Sequence, residues 1–255
     1  MLRSVRAVVV LPTYQEAANI GPVLQRIRAT GAAEVLVVDD ASPDGTADLA
    51  DALNVELGGI HVLRRPGKAG FGPAVRAGMA WALDQDYEVV VGMDADLSHD
   101  PASLPALITA VTAGADLAVG SRYVAGGSIP DWPAHRRALS RFGNRFANAA
   151  LRLGLSDATS GYRAYRADAL RRIDFGHVRA DGYGFLIEMA YRVTRSGGTV
   201  AEVPIIFVDR QRDESKMSFG IVVEAFALVT VWGIRDRLVA LTGRHRSGGG
   251  AARTG

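Results

Sequence analysis

Glu88-Val89-Val90-Val91-Gly92-Met93-Asp94-Ala95-Asp96 is a short apolar run that stops on two carboxylates. Several valines in so short a run suit a strand buried on both faces. The aspartates at its end stand two positions apart, so in an extended chain both carboxylates point to the same side. Such a pair repels itself unless a cation lies between its members. A hard divalent ion takes oxygen ligands of this kind and completes its shell with diphosphate and water. The competing reading of Asp94 and Asp96 is a turn with two solvated side chains, because a lone Asp-x-Asp is common.

The same grammar repeats on either side. Residues 5–11, 34–38 and 60–64 read as strands, separated by helical patterns over 15–29, 45–57 and 71–83. Beyond residue 96 a helix starts near Pro101, and a strand over 116–121 closes the series. Near-continuous apolar strands alternating with helices predict an α/β, doubly wound, mostly parallel sheet flanked by helices. Ligands of such sheets sit at the carboxyl ends of the strands. There the sequence places Pro12-Thr13-Tyr14-Gln15-Glu16, then Asp39-Asp40-Ala41-Ser42-Pro43-Asp44-Gly45-Thr46, then Asp94-Ala95-Asp96. Ser42, Asp44 and Thr46 read as turn and cap residues. Asp40 reads as an acceptor for base or ribose donors. Two acidic clusters on neighbouring strand ends favour a nucleotide diphosphate with metal over two unrelated turns.

The second half is less regular. A glycine-containing loop over 122–131 precedes a helix over 133–153 that carries Arg136, Arg137, Arg141, Arg145 and Arg152. A helix over 184–195, a strand over 199–208, a polar loop over 209–218 and an apolar helix over 219–241 follow. Residues 1–242 read as a single domain, and the Gly-, Arg- and Ser-rich residues 243–255 as a disordered tail. The start of the chain lacks a cleavage site and reads as a first strand, not a signal peptide.

Composition narrows the function. With 255 residues, 48% of them hydrophobic, the chain can bury one full core. A net charge of only +2 gives no basis for a nucleic-acid partner. The absence of cysteine excludes disulfides and thiolate metal sites, and fits a reducing compartment. Gly70-Phe71-Gly72 begins a dinucleotide-like pattern, but Val75 stands where Gly or Ala is needed and the third strand precedes it, not the first. A phosphate-binding G-x-x-x-x-G-K-[ST] loop and a Ser-His-Asp constellation are also absent. Only two of the 29 basic residues are lysines, Lys68 and Lys216. Ammonium and guanidinium are not interchangeable, so lysines that survive such a bias invite a chemical explanation. Lys68 either touches ligand or caps its loop, and the loop reading is the simpler.

The stretches LPTYQEAANI, VVDDASPDGTADLA, MDADLSHDP, GSRYVAGG, WPAHRRALSR, TSGYRAYR and VPIIFVDRQRDESKMS run in order from residue 11 to 218. Together they resemble the inverting GT-A glycosyltransferases of family 2, and more narrowly the polyprenol-phosphate (dolichol-phosphate) mannose synthases. The resemblance implies transfer of mannose from GDP-mannose to a polyprenyl monophosphate, with a divalent metal, Mg²⁺ or Mn²⁺. It implies that Pro12, Tyr14, Glu16, Val38 and Asp40 hold the guanosine, and that Asp94 and Asp96 hold metal and diphosphate with Ala95 beside the donor. Arg122, Arg210 and Lys216 would meet phosphate or sugar oxygens, with Arg136 and Ser140 (and Arg122) at the acceptor phosphate. Some relatives have Gln where this chain has Ser98, and His99 reads as structural. An ionised phosphate acceptor needs no general base, in keeping with the missing acid/base constellation. UDP-glucose as donor and a non-catalytic nucleotide-sugar-binding protein are the alternatives.

No segment has the ~20 apolar residues of a membrane span. Residues 219–234 form the longest apolar run, interrupted by Glu224, and read either as a core helix or as an interfacial helix beside the arginine-rich one. The expected location is peripheral, on the cytoplasmic face of the membrane surface. Many members of the resembled family carry C-terminal transmembrane helices and none is read in this sequence, so the resemblance implies an integral membrane partner protein.

Overall fold

The computed structural model describes residues 5–209 and 219–247; for 219–223 and 239–247 it describes the backbone alone. Seven strands form one sheet in the order β3-β2-β1-β4-β6-β5-β7. They are β1 (Ala7–Thr13), β2 (Glu34–Asp39), β3 (Ile60–Arg64), β4 (Val89–Gly92), β5 (Leu117–Ser121), β6 (Arg163–Arg166) and β7 (Val200–Pro204). All neighbours pair in parallel except β6, which runs antiparallel between β4 and β5. Helices α1 (Ala17–Ala29), α2 (Thr46–Leu57) and α4 (Leu104–Thr112) cover one face. The other carries α3 (Phe71–Asp84), α5 (Ala134–Leu151), α6 (Ala167–Ile173), α7 (Gly182–Arg195) and α8 (Phe219–Ser247).

The valine run of β1 shows why both faces must be covered. Val8 and Val10 pack into one core cluster while Val9 and Leu11 pack into the other, all fully buried. This is the strict alternation of a pleated strand with two apolar neighbours. Gly78 lets α3 lie close to the sheet: a Cβ there would strike Val10 Cγ1, with Val38 Cγ2 only 3.0 Å away.

Element boundaries shift by a few residues from the sequence reading. The first helix begins at Ala17 because Gln15 is left-handed at φ 57°. The arginine-rich helix ends at Leu151, before the left-handed Arg152. The expected strand over 199–208 stops at Pro204, beyond which Ile206 and Phe207 make isolated bridges to Ser128 and His99. The last helix continues past Gly243 to Ser247.

Strand β6 and helix α6 had no counterpart in the sequence reading. Arg-Ala-Tyr-Arg carries little strand propensity, and its pairing is decided by tertiary contacts. Buried Arg163 is held by the carbonyls of Ala158, Ser160 and Leu186, so a charged residue occupies the middle of the sheet without orphaned donors.

Two glycines give opposite predictions. Gly78→Ala should destabilise by about 1–3 kcal/mol through overpacking. Gly21→Ala, in α1 with Leu53 Cδ1 at 3.9 Å as the nearest atom to the new Cβ, should stabilise by up to about 1 kcal/mol through helix propensity. Urea denaturation of the two variants measures both signs.

Candidate active site

The carboxyl ends of β1, β2 and β4 open into a cavity of about 590 Å³. Its construction begins with the loop after β2, which fastens the neighbouring strand end. Buried Asp39 accepts from Thr13 Oγ1 at 2.9 Å and from Ser42 N at 2.8 Å. Helix α1 has no cap of its own; its first amides are satisfied across the loop. Glu16 N donates to Thr46 Oγ1 at 3.0 Å and Ala17 N to Asp44 Oδ2 at 3.0 Å. Burial alone would raise the Asp44 pKa, but hydrogen bonds from the Thr46 hydroxyl at 2.6 Å and from the Ala17 and Thr46 amides outweigh it and hold the carboxyl below its usual range. Ser42, Asp44 and Thr46 are thus cap and turn residues, which rigidly present Tyr14 and Glu16 to the cavity.

Asp40 lines the cavity while anchoring the loop after β3. Its Oδ1 pairs with Arg65 Nη1 at 2.6 Å, and its Oδ2 accepts from Ala69 N at 3.0 Å. Each carboxylate oxygen has two acceptor sites, so capacity remains for a ligand.

Past β4 the chain turns tightly through Asp94-Ala95-Asp96, with Leu97 left-handed at φ 63°. Asp96 Oδ1 accepts from Ser98 N at 3.0 Å. Asp94 N donates to His99 Nδ1 at 3.3 Å, which makes that nitrogen the acceptor. His99 is fully buried, stacked on Tyr162 and edge-on to Phe207, and burial drives its pKa below the usual value. It acts as a neutral wedge that shapes the acidic turn. Ser98 Oγ is buried with no hydrogen-bond partner among the described residues.

Asp94 and Asp96 offer only hard oxygen donors to the cavity. No cluster of three or more His, Cys, Asp or Glu able to hold a metal occurs among the described residues. That donor set suits a Mg²⁺- or Mn²⁺-like ion that draws its other ligands from a bound diphosphate and water, and suits a closed structural zinc site poorly.

The opposite wall is basic. Buried Arg122, just past β5, gives its Nε and Nη2 to Asp157 at 2.6 and 2.7 Å, and Nη2 also reaches Thr159 Oγ1 at 2.9 Å. Burial alone would lower the Arg122 pKa, yet the Asp157 carboxylate outweighs it and the guanidinium stays charged. For Asp157 burial alone would raise the pKa, and Arg122 reverses that too. Arg136 stacks on Trp132, 3.9 Å from the ring centroid, and pairs with Asp209 at 2.8 Å. Trp132 also lies 5.5 Å from the Arg122 guanidinium, so one indole spaces the two cations.

Trp132, Arg136, Thr159 and Tyr183 line this cavity and also a second, apolar groove of about 340 Å³ between α5, α7 and α8. Leu139, Phe146, Ile187, Phe226 and Val229 form its walls.

Of the residues singled out in the sequence, Pro12, Tyr14, Glu16, Asp40, Asp94, Ala95, Asp96, Arg122 and Arg136 line the cavity. Val38 does not: its side chain is fully buried in the core against α3, because its strand position points away from the strand-end opening. Ser140 lies in the adjoining groove, where its Oγ accepts from Tyr123 OH at 2.7 Å. Arg210 and Lys216 fall outside the described residues. The sequence reading passed over Trp132, Thr159, Asp181, Tyr183 and Phe207, all of which line the cavity. Asp181 had a local signal, since it caps α7 by accepting from Gly182 N; it also accepts from Gly72 N of α3 at 2.6 Å. The aromatics had none, because only the folded chain brings them together.

Comparison with known proteins agrees with this geometry. Residues 8–174 match the family described as Glycosyl transferase family 2. An undecaprenyl-phosphate mannosyltransferase of Micrococcus luteus is 48% identical over 240 residues, covering 94% of this chain and 98% of that protein. A polyprenol monophosphomannose synthase of Mycolicibacterium smegmatis is 46% identical over 235 residues, covering 91% and 89%. Among solved structures, glucosyl-3-phosphoglycerate synthase from Mycobacterium tuberculosis, in complex with Mn²⁺, UDP and glucosyl-3-phosphoglycerate, superposes with a TM-score of 0.63 at 21% identity, covering 91% of this chain and 79% of that one. A Pyrobaculum calidifontis mannosyltransferase in complex with GDP-Man and Mn²⁺ gives 0.56 at 18% identity, covering 98% and 76%. At such identities the two structures speak to the fold alone, and the fold they share is GT-A. An acidic strand-end cavity on that fold, with curated relatives aligned over nearly the whole chain, makes this protein a glycosyltransferase and a member of glycosyl transferase family 2.

Proposed function

We propose that this chain transfers mannose from GDP-mannose to the phosphate of a polyprenyl monophosphate, with inversion to the β-linked product. The observation that carries the proposal is the union of two unlike compartments. A polar cavity with carboxylates on one wall and arginines on the other suits a nucleotide sugar facing an anionic acceptor. The apolar groove that shares Trp132, Arg136, Thr159 and Tyr183 with it suits the first isoprene units behind that phosphate. The two curated relatives, named for undecaprenyl phosphate and polyprenol monophosphomannose, support the same pairing.

In this reading an oxygen of the acceptor phosphate bonds to the mannose C1 as the bond from C1 to the GDP oxygen breaks, and that electron pair leaves with GDP. The nucleophile is already an anion, so no proton has to be removed at the attacking oxygen. A divalent cation at Asp94 and Asp96 would supply charge neutralisation for the departing diphosphate. Arg136 and Arg122 lower the repulsion between incoming phosphate and donor, and Trp132 keeps their guanidinium groups apart. Arg210 and Lys216 are candidates for further contacts to phosphate or sugar oxygens.

The same reading puts the protein peripherally on the cytoplasmic face of a membrane. No helix among the described residues is long and apolar enough to cross one. Yet Leu139 and Phe142 on α5, and Val231 and Ile234 on α8, are each more than half exposed. Residues 134–151 contain four arginines and no acidic residue. Apolar side chains flanked by arginines favour an anionic bilayer surface as the partner. An integral membrane protein covering this face is the competing outcome.

Labelled GDP-mannose and UDP-glucose, each with a short polyprenyl phosphate and Mg²⁺, test the reaction. Mannolipid from GDP-mannose alone is expected, lost with EDTA and reduced about 10²–10³-fold or more by Asp96→Ala. Glucolipid from UDP-glucose would overturn the donor assignment, and no transfer to lipid would overturn the proposal. Co-sedimentation tests the surface: binding to vesicles with anionic lipid should exceed binding to zwitterionic ones and fall at least severalfold in Phe142→Asp/Ile234→Asp. Equal, weak binding to both vesicle types would point to a protein partner instead.

A further inference from the structure

Helix α5 meets more than the catalytic compartments. Arg136 lines the cavity, and Leu139, Ser140 and Phe146 line the apolar groove. Arg141, Arg145 and Asn148 line neither. Spaced i, i+4 and i+7, these three share one face of the helix. That face walls a separate cleft of about 480 Å³, closed opposite by Tyr123 and by the turn through Gly154, Leu155 and Ser156.

The cleft offers donors and no acid. No acidic side chain lines it. Arg141 and Arg145 form no ion pair among the described residues, whereas Arg26, Arg64, Arg65, Arg122 and Arg192 each meet a carboxylate. Two guanidinium groups one helical turn apart repel each other unless an anion lies between them. Arg141 is also held in place: its guanidinium lies 5.4 Å from the centroid of the Tyr123 ring, and Tyr123 OH donates to Ser140 Oγ at 2.7 Å. Stacking of this kind leaves the N–H edge of the guanidinium free for an anion. Asn148 adds an independent sign. Its Oδ1 accepts from Gly154 N at 2.8 Å and from Leu155 N at 3.3 Å, which fixes the orientation of the amide. What it has left for the cleft is Nδ2 with two donors. The Glu202 carboxylate, which accepts from the Ser156 and Asp157 amides, does not line the cleft.

We infer that this cleft binds the phosphodiester of an anionic phospholipid headgroup, apart from the donor and acceptor phosphates. A phosphate offers oxygens to both arginines, to Asn148 Nδ2 and to the Ser156 hydroxyl together. The source of that phosphate follows from the neighbouring residue. Phe142 stands three positions from Arg145 on the same helix and is 61% exposed. Acyl chains lying against Phe142 bring headgroup phosphates to the level of Arg141 and Arg145. The inference rests on the reading that α5 lies against an anionic bilayer, and it turns a diffuse attraction into a saturable site.

NMR titration of the isotope-labelled full chain tests this, with dihexanoylphosphatidylglycerol below its micelle concentration, dihexanoylphosphatidylcholine and inorganic phosphate as probes. The phosphatidylglycerol should saturate, shift the amides of 141–148 and 154–156, and bind at least about tenfold more tightly than either other probe. Arg141→Gln/Arg145→Gln should weaken it by about tenfold or more. Arg171→Gln/Arg179→Gln removes the same charge from residues that line none of these cavities, and should leave the affinity unchanged. Asn148→Asp keeps an oxygen for the Gly154 and Leu155 amides but replaces the Nδ2 donors by a carboxylate oxygen. It should lose as much affinity as the arginine pair while its spectrum stays that of the folded chain. Equal losses in the two arginine pairs would mean diffuse charge and overturn the inference. So would an unaltered affinity in Asn148→Asp, or inorganic phosphate binding as tightly as the lipid, which would assign the cleft to a free anion. The short-chain lipid needs no bilayer, so a chain that binds it here yet ignores anionic vesicles would overturn the bilayer reading and leave the cleft standing.

Discussion

Asp39, Asp40, Asp94 and Asp96 crowd the carboxyl ends of neighbouring strands, and their mutual repulsion has to be managed before the sheet can close. The fold divides the task. Asp39 is spent on Thr13 and Ser42, and Asp40 is half spent on Arg65 and Ala69. Asp94 and Asp96 sit where β4 ends and the chain turns into the cavity. In the proposed reaction, charge that costs stability in the protein alone becomes useful when a cation and a diphosphate arrive together. The edge that is expensive to build is therefore the edge proposed to bind the donor.

The basic wall solves the converse problem. Arg122 is almost fully buried, and a lone buried guanidinium would be costly. Asp157 neutralises it through two side-chain bonds and also accepts from the Arg122 backbone N–H at 3.0 Å. Thr159 and Asn144 extend the network to α5, where Asn144 Nδ2 donates to Ser140 O at 3.0 Å. Helix α5 thus connects the cation at the end of β5 to the apolar groove. Arginines on this acid-free helix then face two ways: Arg136 faces the cavity, and Arg137 and Arg141 lie on the flank beside Tyr123.

Much of this was legible in the sequence because it is local. The valine runs named β1, β2 and β4 through period and length, and the residues after each run named the cavity's acidic side. Ser42, Asp44 and Thr46 were readable as caps from residue type, although the helix they cap, α1, belongs to the preceding unit. What escaped was non-local. Strand β6 is held by carbonyls from a loop and a helix that no window of sequence brings beside Arg163. Trp132 and Tyr183 are ordinary core aromatics until folding stands them between two compartments. Val38 shows the converse limit, since a residue can belong to a binding motif while its side chain faces the core.

The central claim is that one nucleotide diphosphate spans the sheet edge, with its phosphates at the end of β4. A crystal of this chain grown with GDP and Mn²⁺, with data collected at the manganese absorption edge, tests it most directly. The account predicts one strong anomalous peak bonded to a carboxylate oxygen of Asp94 or Asp96 and to the diphosphate, with the base toward the loop after β3. Manganese bound elsewhere, or GDP seated with its phosphates away from those two carboxylates, would contradict it.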